Sequence, residues 1–128
     1  MLKNKKILII GGAGFIGHNL AIKLKSLKAN VMIVDGLTVN NLESLKKNTN
    51  KLPHPKLSMQ IIKERIRLLK KNKIPLKKLD ARNYIKLSKV FNKFKPSVVV
   101  HLAAVSHANR SNKDPHSTFD HSLRTLEN

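Results

Sequence analysis

Residues 7–17 of this chain read ILIIGGAGFIG. The run begins with four apolar, mostly β-branched residues, which is typical of a strand buried inside a parallel sheet. Beyond the glycines, apolar residues recur at helical spacing as far as Leu27, with lysines on the opposite side. A second apolar run covers residues 31–34 and closes at Asp35. The pattern predicts a β-α-β unit whose first strand and helix are joined by a glycine-rich turn.

The glycines at Gly11, Gly14 and Gly17 have the spacing G-x-x-G-x-x-G. Glycine lets the backbone turn sharply, lets a pyrophosphate approach the main chain and lets a helix pack closely on its strand. The N-terminus of the following helix adds unpaired N–H groups and the positive end of a dipole. We therefore expect the phosphates of a dinucleotide at this turn. The alternative is an ordinary tight turn between a strand and a helix.

A P-loop is the competing motif, since residues 12–17 also satisfy G-x-x-x-x-G. The next two residues, His18 and Asn19, stand where a P-loop needs Lys and then Ser or Thr. The motif therefore lacks both the amine that reaches the phosphates and the hydroxyl that binds magnesium. This disfavours a nucleoside triphosphatase.

Asp35 stands at the end of the second predicted strand, 18 residues beyond Gly17. A carboxylate at this place can accept both ribose hydroxyls of an adenosine and would repel a 2′-phosphate. An Asp-Gly pair also forms ordinary turns. Taken together with the glycine turn, Asp35 favours NAD over NADP as the cofactor.

The rest of the chain predicts further alternation of helices and strands. Residues 59–69 have the spacing of an amphipathic surface helix within an irregular region, residues 37–78. Residues 84–94 are predicted to form a crossover helix, residues 97–102 a third strand, and residues 119–128 a further helix. These elements predict an α/β fold with a parallel sheet and helices on both of its faces.

The charge is strongly basic, with 26 Lys plus Arg against 7 Asp plus Glu. Lysine supplies 21 of the 26, whereas proteins that bind nucleic acids favour arginine. No aromatic residue interleaves with the densest basic stretch, residues 46–78. We interpret the charge as a solvated basic surface, or as attraction for anionic ligands, and expect no nucleic-acid partner.

The chain has no cysteine, which excludes a disulfide scaffold and a thiolate metal site. The histidines lack partners at metal-ligand spacing, so we expect no metal. The first apolar run is too short for a signal peptide or a membrane span. We expect a cytoplasmic protein without a membrane partner.

Separated segments of the chain resemble the extended short-chain dehydrogenase/reductase family, specifically its NAD-dependent nucleotide-sugar epimerases and dehydratases. These segments are residues 11–17 with Asp35, then Asp80-Ala81-Arg82, then residues 99–104, VVHLAA. The resemblance is weakest between residues 40 and 78. It implies a Rossmann-type, doubly wound parallel sheet that is truncated, with residues 1–128 as an incomplete NAD-binding domain. The catalytic and substrate-binding part is expected beyond residue 128.

The resemblance also implies where the cofactor contacts lie. The Asp80 side chain and the Ala81 backbone would meet the adenine ring, and Leu102, Ala103 and Ala104 would line the nicotinamide side. The remaining cofactor contacts would come from Gly11, Gly14, Phe15, Ile16, Gly17 and Asp35. Ser106, His107 and Arg110 would face the substrate, although a loop histidine is as often a surface residue.

The chain departs from the family in its catalytic residues. Family members use a Tyr-x-x-x-Lys pair on a later helix, whereas Tyr84, the one tyrosine, is followed four residues later by Ser88. We therefore expect no catalytic residue within residues 1–128, and no activity from this chain alone. In the last predicted helix, His121 and Arg124 stand where the family has Asn and Gly of Asn-x-x-Gly-Thr. Either a helix-packing asparagine is missing or the alignment is displaced by one residue.

These expectations describe the NAD-binding portion of a nucleotide-sugar epimerase or dehydratase. Such an enzyme transiently oxidises a sugar hydroxyl by hydride transfer to NAD. A carbonyl reductase of the same broad family and a stand-alone dinucleotide-binding module without catalysis stay open as alternatives. A homodimeric intact enzyme is compatible with the resemblance.

Overall fold

The computed structural model describes residues 2–39, 41–47, 54–105 and 112–128. Its centre is a parallel sheet with the strand order β3-β2-β1-β4. The strands are β1 (Lys6–Ile10), β2 (Asn30–Asp35), β3 (Leu76–Lys78) and β4 (Val98–His101). β1 pairs with β2 on one side and with β4 on the other, so that Ile9 lies between Ile33 and Val100. The predicted α/β fold of Rossmann type is confirmed.

The helices are α1 (Phe15–Ser26), α2 (Leu42–Lys47), α3 (Pro55–Lys71), α4 (Tyr84–Phe94) and α5 (Pro115–Glu127). α4 has the predicted bounds, while α3 extends beyond the predicted residues 59–69 at both ends. The predicted start of the last helix at residue 119 is wrong. α5 begins at Pro115 because Asp114 caps it by accepting a hydrogen bond from Ser117 N at 2.9 Å.

Both faces of the sheet are buried. One face carries Ile7, Ile9, Val31 and Ile33 against Ala21 of α1 and Leu69 of α3, all of them at most 2% exposed. The opposite face carries Leu8, Ile10 and Val34 against Leu87 and Val90 of α4. This two-sided burial explains why β1 and β2 are continuous apolar runs without alternation.

The sequence pattern did not predict β3. The strand has three residues, and Lys77 and Lys78 are exposed, so that no apolar run marks it. It pairs with β2 at the edge of the sheet, where Ile33 is opposite Leu76 and Asp35 is opposite Lys78. Lysines on an edge strand oppose pairing with other chains.

Within the residues that the structure describes, no helix has the length and apolar character needed to cross a membrane.

Candidate cofactor site

A cavity of about 310 Å³ lies at the carboxyl edge of the sheet. Its walls are formed by residues that follow β1, β2 and β4, among them Gly11, Gly36 and Leu102. From β1 the chain first builds the sheet towards β2 and β3 and then returns to place β4 on the other side. This reversal of strand order is where ligands bind in open parallel sheets.

Gly11 and Gly17 are required by packing inside the turn. Gly11 has a φ of +78°, and a Cβ added to it would lie 2.5 Å from the backbone nitrogen of Ala103. A Cβ on Gly17 would lie 2.5 Å from Gly12 Cα. The turn therefore contacts the segment after β4 on one side and α1 on the other, with no room for a side chain at either contact.

Gly14 has a different environment. It is the N-cap of α1, with extended backbone angles, and it lines the cavity. Among the described residues, the nearest atom to a Cβ added at Gly14 would be Gly11 O, at 4.0 Å. The first turn of α1, which is described throughout, has no acidic residue to neutralise the helix dipole. This geometry leaves space beside the N–H groups of α1 for an anionic group.

Phe15 and Ile16 are both exposed at the start of α1, but they lie differently. Phe15 lines the cavity, whereas Ile16, at 67% exposed, is outside the described lining. The guanidinium carbon of Arg65 in α3 lies 6.0 Å from the centre of the Phe15 ring. Arg65 also lines the cavity, which the sequence did not predict because no motif marks residues 40–78.

Asp35 lines the cavity and binds two backbone amides with its carboxylate. Oδ2 accepts from Ala13 N at 2.8 Å, and Oδ1 accepts from Leu37 N at 2.7 Å. The second contact is the Asx turn that an Asp-Gly pair favours. Each carboxylate oxygen keeps a second lone pair for a ligand hydroxyl.

Asp80 and Ala81 form a further wall of the cavity, after β3. Hydrogen bonds from the Arg82 guanidinium hold the pKa of the Asp80 carboxyl below its ordinary value of 3.8. The pKa of Arg82 is raised in turn, chiefly by its hydrogen bonds to Asp80. Asp80 is therefore an ionised acceptor at neutral pH.

Leu102, Ala103 and Ala104 line the cavity on the side of β4. α5 adds His121 and Thr125 to this side, and Thr125 Oγ1 lies 3.1 Å from His101 Nε2 at the end of β4. In the sequence His121 is a departure from the family motif, and no contact was predicted for it. Its position in the lining required the packing of α5.

Four further residues singled out from the sequence lie outside the described residues or outside this cavity. Ser106, His107 and Arg110 lie outside the described residues. Tyr84 lies on α4, is 62% exposed and does not belong to the described lining of the cavity.

The model of the NAD dependent epimerase/dehydratase family matches residues 7–128. The chain belongs to this family. The resemblance predicted from the motifs is thereby confirmed, and the family's cofactor is NAD, as predicted.

Similar curated proteins include both dehydratases and epimerases. The chain is 36% identical over 107 residues to a probable dTDP-glucose 4,6-dehydratase of Sinorhizobium fredii, covering 83% of this chain and 25% of that protein. It is 28% identical over 120 residues to a bifunctional UDP-glucose 4-epimerase and UDP-xylose 4-epimerase of Pisum sativum, covering 94% and 30%.

Solved structures show the same fold. A UDP-glucose-4-epimerase from Stenotrophomonas maltophila with bound NAD has a TM-score of 0.72 at 20% identity, with 97% of this chain and 32% of that chain covered. The Thermus thermophilus UDP-glucose 4-epimerase in complex with NAD has a TM-score of 0.66 at 25% identity, with 95% and 32% covered. The chain thus spans about a quarter to a third of the length of these relatives.

Proposed function

We propose that this chain binds NAD in the cavity at the carboxyl edge of the sheet and forms the cofactor-binding part of an enzyme that acts on a nucleotide sugar. The observation that carries the proposal is the environment of Gly14. At this glycine the backbone borders open space beside the N-terminus of α1, while Gly11 and Gly17 are enclosed by packing. A pyrophosphate needs such a place.

The lining residues fit the two halves of a dinucleotide on either side of this turn. Towards β2, Asp35 would accept the ribose hydroxyls of the adenosine, and Asp80 with Ala81 would meet the adenine ring. Towards β4, Leu102, Ala103 and Ala104 would contact the nicotinamide, since small alanines let a flat ring approach the backbone. Phe15, next to Gly14, would contact the cofactor near its phosphates. Ile16 and Gly17, which are outside the described lining of the cavity, stay predicted cofactor contacts.

NAD, when bound, would accept the hydride from a sugar carbon whose hydroxyl group loses its proton. The residues of this chain bind and orient the cofactor and exclude water from its rings. Among the described residues that line the cavity, there is no tyrosine and no lysine. We therefore propose that the proton-transferring residues belong to the part of the enzyme that this chain does not cover, and that residues 1–128 are an incomplete domain, inactive alone.

The finer features of the enzyme rest on the sequence and on the family resemblance. Ser106, His107 and Arg110 stay predictions as substrate contacts. A homodimer, a cytoplasmic location, and the lack of a metal and of a nucleic-acid partner likewise stay predictions.

Calorimetric titration of the chain with NAD tests the proposal. We expect saturable binding of one NAD, and an affinity that falls at least roughly tenfold in Gly14→Ala because the new methyl group occupies the phosphate position. Gly14→Ala should lower the melting temperature only slightly, since apart from its chain neighbours no described atom lies closer than 4.0 Å to its Cβ and alanine is a weaker N-cap than glycine.

Lys23→Ala is the matched control, because Lys23 is an exposed residue of α1 outside the cavity. Its NAD affinity should equal that of the wild type. A wild-type chain that folds but does not bind NAD contradicts the proposed function, as does a folded Gly14→Ala variant with unchanged affinity.

A further inference from the structure

Arg82 holds the carboxylate of Asp80 from several directions at once. Its Nη2 donates to Asp80 Oδ2 at 2.6 Å, and its Nε lies 3.1 Å from both carboxylate oxygens. The backbone N–H of Arg82 donates to Oδ1 at 3.0 Å. A planar guanidinium fork of this kind fixes the orientation of a carboxylate, which a lysine amine cannot do.

The remaining guanidinium nitrogen connects this carboxylate to α5. Nη1 of Arg82 donates to Asp120 Oδ2 at 2.9 Å and lies 3.2 Å from His121 Nε2. The side chains of Arg82 and Asp120 are 30% and 27% exposed, so solvent screens the pair only in part. The Arg82 guanidinium is therefore also held from outside its own loop, by Asp120 of α5, which lies 38 residues further along the chain.

Of these residues, Asp80 and His121 line the cavity, whereas Arg82 and Asp120 are outside its described lining. Arg82 acts on a ligand through the Asp80 carboxylate, which lines the cavity and whose side chain is 47% exposed.

The hydrogen-bond count around Asp80 limits what the carboxylate can bind. A carboxylate has about four acceptor positions, and the three N–H groups of Arg82 make four contacts with them because Nε is shared between the two oxygens. Three donors at four positions leave capacity for one donor from a ligand. The 6-amino group of adenine offers such a donor, while the 6-oxo group of hypoxanthine offers an acceptor that an ionised carboxylate repels.

We propose that Arg82, supported by Asp120 and His121 of α5, is the positioning residue of the adenine subsite, and that it makes the site selective for a 6-amino purine. The proposal rests on the proposed function. It adds a residue that does not touch the cofactor and a helix, α5, on which base selectivity depends.

The test compares the affinities of the chain for NAD and for nicotinamide hypoxanthine dinucleotide, which differ in the 6-substituent. The wild type should prefer NAD by roughly tenfold, the size of one hydrogen bond to a charged group. Arg82→Gln should reduce this preference to about twofold or less, because the carboxylate is no longer oriented. Arg82→Lys should do the same, because it restores the charge but not the fork.

The matched control is Arg67→Gln, which removes an arginine that forms an exposed ion pair with Glu64 on α3. It should keep the full preference. Asp120→Asn leaves the contacts between Arg82 and Asp80 intact and should reduce the preference for NAD by a smaller factor. This variant replaces the Arg82 variants if those do not fold.

The outcomes separate this inference from the proposed function. Equal loss of affinity for both dinucleotides in folded Arg82 variants, with the ratio unchanged, means that Arg82 only holds α5 in place and overturns the inference. If Arg82→Lys keeps the full preference for NAD, the inference is also overturned, because the positive charge alone would then be sufficient for base selectivity. A wild type that binds both dinucleotides equally overturns the inference but leaves NAD binding intact, and a wild type that binds neither contradicts the proposed function.

Discussion

The backbone N–H of Ala13 donates to Oδ2 of Asp35 at 2.8 Å, which joins the glycine turn after β1 to the end of β2. Ala13 is 4% exposed, so water does not replace this acceptor. The carboxylate predicted to bind a ribose is therefore also part of the structure of the turn. Substitutions of Asp35 should change both stability and cofactor choice, and the two effects can be measured separately.

Asp35→Ala should lower the free energy of unfolding by about 1–3 kcal/mol, because the N–H of Ala13 and that of Leu37 lose their acceptor. Asp35→Asn should cost less, since its amide oxygen can still accept one of the two bonds. Urea denaturation followed by circular dichroism measures the difference. Glu43→Ala, at an exposed position of α2, is the control and should lower the free energy of unfolding by no more than about 0.5 kcal/mol. Equal stability of Asp35→Ala and the wild type would contradict the structural role.

Asp35→Asn should also shift cofactor preference from NAD towards NADP by roughly tenfold, because the charge that repels a 2′-phosphate is gone. Arg65, in the lining of the same cavity, offers the cation that a 2′-phosphate needs. Adding Arg65→Gln to Asp35→Asn should therefore reverse most of the shift. The measurement is the ratio of the two dissociation constants. Tighter binding of NADP than NAD by the wild type would disprove the ribose role of Asp35.

Gly11→Ala should destabilise the chain by at least about 2 kcal/mol, because alanine is strained at a φ of +78° and its Cβ would meet the backbone of Ala103. Gly17→Ala should be comparably unfavourable, since its Cβ would meet the backbone of Gly12. Gly14→Ala should lower the melting temperature least of the three, since it changes only the N-cap of α1. Thermal unfolding of the three variants checks the order. A Gly14→Ala variant less stable than Gly11→Ala would refute the assignment of the glycines.

The Arg82 contacts should stabilise the chain at neutral pH and fail in acid. The pKa of Asp80 is lowered chiefly by Arg82, and that of Asp120 by Arg124 and then Arg82. A lowered pKa contributes stability above the unfolded value of 3.8 and loses it as the pH falls through the folded value. The difference in melting temperature between the wild type and Arg82→Gln should thus be constant from neutral pH to about pH 5 and shrink below about pH 4. A difference that persists at pH 3 would show that these carboxylates are not its source.

Tyr84→Phe should change the free energy of unfolding by less than about 0.5 kcal/mol, because Tyr84 is exposed at the start of α4. NAD affinity should be unchanged as well. With NAD and a panel of nucleotide sugars, neither the wild type nor the variant should show turnover. Turnover by the wild type that disappears in Tyr84→Phe would place the active site on α4 and contradict the cavity described above.

Local patterns were sufficient for the central elements of the fold. The apolar run after Lys6, the glycine spacing and the periodicity of residues 84–94 predicted β1, the turn and α4. Each of these depends on interactions within a few residues or on burial of both sheet faces, which leaves a periodic mark in the sequence. The same motifs were sufficient to identify the family.

Contacts between residues that are far apart in the sequence leave no periodic pattern from which they can be predicted. β3 is a strand because Leu76 meets Ile33 of β2, not because its three residues favour a strand. The ion pair between Arg82 and Asp120 depends on where α5 packs. No periodicity within either segment encodes the distance between the two side chains.

The three glycines of the turn show most directly what the sequence predicts and what only the folded chain decides. From the sequence, Gly11, Gly14 and Gly17 are equivalent members of one spacing motif. Whether a side chain would fit at each position depends on which segment lies opposite, and that is a property of the folded chain. Tertiary structure places Ala103 against Gly11 and Gly12 against Gly17, and leaves the space beside Gly14 open to a ligand.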